Sequence, residues 1–195
     1  MSNEITERMS ARDRLLAAAD ELFYNEGVHS VGIDRVIAHA GVAKASLYSA
    51  FGSKDELIRC YLARRQAALQ ERIEGRLALC GTPKERLLAI FDMVVDLVKR
   101  PRFRGCAFVN ARAEAVPGST LDETCVASRD WVRSRLVGLA EEAHAAHPDR
   151  LAQQLLLLYD GALVSATMNR NPEMAETARG VAETLIDAAL AGNAA

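Results

Sequence analysis

Apolar residues recur at three- and four-residue spacing along nearly the whole chain, and the pattern is interrupted at glycines and prolines. Ser10 and Asp13 form a helix start, followed by a stripe of Leu15, Leu16, Ala18, Ala19, Leu22 and Phe23 that Gly27 can end in a left-handed conformation. Ile33, Val36, Ile37 and Ala40 then mark a short helix, and Gly41 suits a tight turn. A second short helix carries Leu47, Ala50 and Phe51 on one face. Two short helices joined at a glycine pack at a steep angle. The opposite side of the second, with Lys44, Ser46, Tyr48 and Ser49, is then free to enter a DNA major groove.

The remaining pattern is helical throughout. Ser53 and Glu56 open a long helix through Leu57, Tyr61, Leu62, Leu69, Ile73 and Leu77 to about Leu79. Gly81, Thr82, Pro83 and Glu85 provide a stop and a new start, and Leu87, Leu88, Phe91, Val94, Val95 and Val98 form the next stripe, ended by Pro101. RPRFRGCAFVNARAEAVPGS is the least regular stretch and predicts a short helix over about 106–115. Ser119 and Asp122 open a helix expected to reach Ala146 and close at Pro148, and two more run over about 149–168 and 172–190. Their apolar sets are Leu151, Leu155, Leu158, Tyr159, Ala162, Leu163 and Ala166, and Ala175, Ala178, Val181, Ala182, Leu185 and Ala189. Both are wider than one partner helix can cover, which points to a four-helix bundle with a second copy of the chain.

The run IDRVIAHAGVAKASLYSAFGSKDELI resembles the DNA-binding domain of TetR-family transcriptional regulators, over roughly residues 10–60. Ala40-Gly41-Val42, Leu47-Tyr48, Phe51, Ser53-Lys54 and Leu57 stand at the family's spacing. The resemblance implies that Tyr48 and Lys54 contact phosphates, while Lys44, Ala45, Ser46 and Ser49 face bases or the adjoining backbone. It further implies a homodimer joined through the last two helices and repression relieved by a ligand. One departure is Ala43, where the family often has serine or threonine; its methyl cannot cap the reader helix. The expected fold is all-α: a three-helix helix-turn-helix DNA-binding domain over 1–52 and a helical effector-binding and dimerisation domain over 53–195.

Composition agrees with a helical protein of 195 residues, half of them apolar and few aromatic. The net charge of -2 departs from the basic bias common among nucleic-acid binders. From residue 28 to 54, Arg35, Lys44 and Lys54 oppose only Asp34, a local charge of +2. Binding therefore relies on few, well-placed contacts to an operator duplex, made by two copies. The polar, acidic start MSNEITERMS and the short apolar runs predict neither secretion nor a membrane partner. Cys60, Cys80, Cys106 and Cys125 contain no C-x-x-C pair, so no metal, cofactor or disulfide framework is expected, and the predicted home is a reducing cytoplasm.

An all-helical enzyme is the alternative class, and none of G-x-S-x-G, H-E-x-x-H, a P-loop or G-x-G-x-x-G occurs. A DNA-binding protein without an effector is another. His144 and His147, near the expected end of a helix, are read as partners of its dipole. In the second half Phe91, Phe103, Phe108 and Trp131 suggest a pocket for a hydrophobic effector. Cys106 stands at a helix start behind Arg102 and Arg104, a setting that favours thiolate and an electrophilic effector; the competing role is a small buried hydrophobe.

Overall fold

The apolar periodicity becomes nine α-helices in the computed structural model, which describes residues 9–191, with no strand among them. They are α1 Ala11–Glu26, α2 Ile33–Ala40, α3 Lys44–Phe51, α4 Lys54–Leu77, α5 Pro83–Val98, α6 Ala107–Glu114, α7 Thr120–Glu142, α8 Pro148–Asn169 and α9 Glu173–Ala191. The tail expected at the N-terminus, with Arg8, falls mainly outside the described residues. No described helix is long and apolar enough to cross a membrane.

The chain groups into two units. The first takes α1, α2, α3 and α4 up to Ala67, together with Ala107–Cys125, so it includes α6 and the start of α7. In α1 the Ser10 hydroxyl accepts the Asp13 N–H at 3.1 Å, the expected cap. Leu15, Leu22, Val31, Val36, Leu47, Leu57 and Leu62 are buried, and Phe23 meets Tyr61 edge to face at 5.7 Å between ring centroids. Arg65 of α4 ties to α1 by both Asp20 carboxylate oxygens, with its guanidinium 4.2 Å over the Tyr24 ring.

The second unit holds the remainder of α4, with α5, most of α7, α8 and α9. At α5 the Thr82 hydroxyl accepts the Glu85 N–H while the Glu85 carboxylate accepts the N–H groups of Thr82 and Gly81, with Pro83 in the first turn. Ile73, Leu87, Phe91, Met93, Leu136, Leu155 and Ile186 fill the core.

Two expectations change. Helix α7 ends at Glu142 rather than Ala146, because His144 has φ 54° and breaks the helical run; Pro148 opens α8 instead of closing α7. His147 therefore precedes an N-terminus, where a cation is disfavoured, and is no C-terminal dipole partner. The wide apolar faces are also largely spent inside the chain. Leu151, Leu155, Tyr159, Ala162, Leu163 and Ala166 are buried, because α8 packs on α5 as well as on α9. What stays uncovered is Leu157, Val164 and Met168 on α8 and Val181 on α9.

Candidate nucleic-acid interface

The turn at Gly41 follows its sequence signal: φ 63° and ψ 42°, with its N–H bonding to the Ala38 carbonyl at 3.2 Å. Ala43 occupies the N-cap of α3 without a side-chain bond, and the Ser46 N–H turns back to the Ala43 carbonyl at 2.9 Å. Leu47 and Phe51 anchor α3 in the first unit's core, where α1 and α2 both pack against it. This leaves Lys44, Ala45, Tyr48 and Ser49 exposed and Ser46 half-buried, with Tyr48 47% accessible. The half-buried Lys54 opens α4 just after the bend at Gly52, and Ser53 caps that helix by accepting the Glu56 N–H at 3.1 Å.

The cations of this face differ in their partners. Lys44 Nζ lies 2.9 Å from Asp34 Oδ1, and that hydrogen bond, then the carboxylate's charge, raises its pKa above the ordinary lysine value. Arg35 pairs with both carboxylate oxygens of Glu26, and His39 Nε2 lies 3.2 Å from Glu21. Lys54 Nζ instead donates to a neutral group, the His29 carbonyl, at 3.3 Å, and so keeps two N–H donors for an anion. Arg12 stacks over the Phe51 ring at 5.1 Å. The carboxylates of Asp34 and Glu26 were not legible as partners from the sequence; Asp34 stands beyond the turn and Glu26 in the preceding helix. Glu114 of α6 also reaches this unit's first turn, where it accepts the N–H groups of Val28 and His29. Nothing in the local pattern announced that contact.

The proposed effector residues divide. Phe91 is fully buried in the second unit's core, and Phe103, Cys106 and Trp131 are partly buried against the same core. Phe108 is buried on α6 and belongs to the first unit. Burial pushes the Tyr159 phenol above its usual range, and the nearby Cys106 adds to that shift. A cleft of about 400 Å³ opens within the first unit, lined by His29, Ser53, Ile58, Arg59, Leu121 and Thr124 among others; it contains none of the five. Among the described residues, no group of three or more His, Cys, Asp or Glu is placed to hold a metal ion.

Residues 15–59 match the family model for bacterial regulatory proteins of the tetR family. The fold superposes on the crystal structure of SCO4454, a TetR-family transcriptional regulator from Streptomyces coelicolor, with TM-score 0.88 and 32% identity over 92% of this chain and 96% of that one. The transcriptional repressor NemR of Escherichia coli is 26% identical over 189 residues, 90% of this chain and 93% of NemR. YezE, an uncharacterised HTH-type transcriptional regulator of Bacillus subtilis, is 31% identical over 108 residues, so that the match spans 54% of its length.

Proposed function

The chain belongs to the TetR family of transcriptional regulators, and on that premise we propose that it is a sequence-specific repressor, released from a palindromic operator by a small-molecule effector. The observation that carries the DNA reading is the exposed face of α3, where Lys44, Ala45, Tyr48 and Ser49 stand free of the core with no acid on the helix and Lys54 close by in sequence. In this reading Tyr48 and Lys54 take phosphates and fix the register. Lys44, Ala45, Ser46 and Ser49 face base edges or adjoining backbone. Repression is the output named for NemR, a relative matched over nearly its whole length.

Two copies present two α3 helices, joined through the uncovered apolar positions of α8 and α9. The effector is hydrophobic or electrophilic and acts in the second unit, whose core includes Phe91 and has Phe103, Cys106 and Trp131 packed against it. Phe108 joins this set on the grounds of its sequence alone. Selection of bound sequences from random duplex DNA tests the proposal: an inverted repeat is the expected product, and a pool without sequence preference overturns it. If the effector is electrophilic, alkylation releases the protein from the selected duplex, and Cys106→Ser binds that duplex but is no longer released. Release that persists in the variant returns the effector to the noncovalent class.

A further inference from the structure

The turn after α1 is held by a carboxylate from far along the chain. Gly27 ends α1 at φ 101° with its own N–H on the Phe23 carbonyl, and the next two amides leave the helical hydrogen-bond pattern. Both donate to Glu114 at the end of α6, one oxygen each: Val28 N to Oε1 at 3.1 Å and His29 N to Oε2 at 2.8 Å, across 86 and 85 residues of sequence. Glycine at 27 suits this arrangement, since the backbone conformation there favours it and a side chain would push the Glu114 carboxylate off the two amides. Its φ is one that side-chain-bearing residues rarely adopt, and a Cβ there would stand 2.6 Å from Glu114 Oε1. The other side of the same residue is held as well, since the His29 carbonyl accepts from Lys54 Nζ. His29 is thus gripped at its N–H by Glu114 and at its C=O by Lys54, all within the first unit.

We infer that Glu114 is a positioning residue for DNA binding: it fixes the turn at residues 27–29 and, through the His29 carbonyl, the ammonium of Lys54. The inference rests on the proposed phosphate contact of Lys54. A lysine stem has four rotatable bonds, and freezing it on a phosphate costs conformational entropy. An ammonium already held by a carbonyl on a fixed turn has lost much of that freedom before DNA arrives, while two of its three donors stay available. The two bonds to Glu114 are charge-assisted and so resist displacement by water better than neutral ones.

The test is a double-substitution cycle in the full-length protein, read by anisotropy of a labelled duplex of unselected sequence at several salt concentrations, because phosphate contacts are blind to sequence. Glu114→Ala is expected to weaken binding about tenfold, the equivalent of one lost charge-assisted bond, and to flatten the salt dependence toward that of Lys54→Ala. In the Lys54→Ala background the same change is expected to do little. Glu114→Gln keeps the side-chain length and one acceptor oxygen, so it should fold where alanine does not and show an intermediate loss. In both variants the Val28 and His29 amides exchange faster with solvent. Equal losses in the two backgrounds would make Glu114 a general stabiliser and overturn the inference, as would wild-type affinity in Glu114→Ala. If Lys54→Ala itself leaves affinity and salt dependence unchanged, the phosphate contact fails first and the inference with it; the amide exchange still separates that outcome from a missing Glu114 bond.

Discussion

Lys44 and Asp34 stand on either side of the turn at Gly41, and the first cation of α3 is engaged by its own chain's carboxylate. Both side chains are largely exposed, so the pair matters less for folding than for what Lys44 can do next. In the proposed DNA contact, a phosphate or base edge has to compete with Asp34 for the ammonium. Asp34→Asn is therefore expected to tighten binding to unselected DNA and steepen its salt dependence, because it releases Lys44 and removes an acid near the duplex. Unchanged affinity and slope would mean that Lys44 meets no DNA. The raised pKa of Lys44 works in the same direction at any physiological pH: the paired, charged form persists below the ordinary lysine value and is lost only as pH climbs through the higher folded value. No switch near neutrality follows. A count of charges over residues 28–54 missed this because Glu26, the partner of Arg35, lies just before the window, and the Asp34 pairing depends on the angle between two helices.

The helix starts show where local chemistry suffices. Ser10 with Asp13, Thr82 with Pro83 and Glu85, and Ser119 with Asp122 each close over a few residues, and each forms as its spacing indicated. At α7 the Asp122 carboxylate accepts the Gly118 N–H at 3.0 Å and Arg112 Nε at 2.8 Å, which joins the end of α6 to the start of α7. The bond from Gly118 first, then that from Arg112, holds this carboxyl below the usual carboxylate range. A depressed value means stability that is present above the ordinary pKa of about 3.9 and lost as pH falls through the lower folded value. Asp122→Asn is thus expected to lower the melting temperature at neutral pH, with the gap from wild type closing in acid; a gap that does not change with pH would remove the carboxylate from the account. The end of α7 and the reach of Glu114 were not legible. The first turns on a left-handed His144, a conformation that no residue type there demands, and the second on two amides 85 and 86 residues away.

At the scale of the molecule, the uncovered residues Leu157, Val164 and Met168 recur at one-face helical spacing, with Leu157 71% and Met168 78% accessible. For the proposed dimer, light scattering at micromolar concentration should give about twice the chain mass of 21.2 kDa. Leu157→Glu and Val164→Asp should reduce it to a single chain with helicity intact. Leu163→Glu, by contrast, places a charge in the monomer's interior at 2% accessibility and should unfold the second unit. A single-chain mass for wild type would end the dimer proposal. The sequence showed that these helices had apolar surface to spare but not which residues carried it, because the share taken by α5 depends on packing between distant segments. The chain also contains one tryptophan, Trp131, seated against the second unit's core, whereas Tyr24, Tyr48 and Tyr61 all lie in the first. Light at wavelengths too long for tyrosine therefore excites a single, natural lamp in one unit. If the proposed effector binds in that unit, the lamp's colour and lifetime should change on effector addition, and a change on adding DNA, whose proposed contacts all lie in the other unit, would report a coupling between the two.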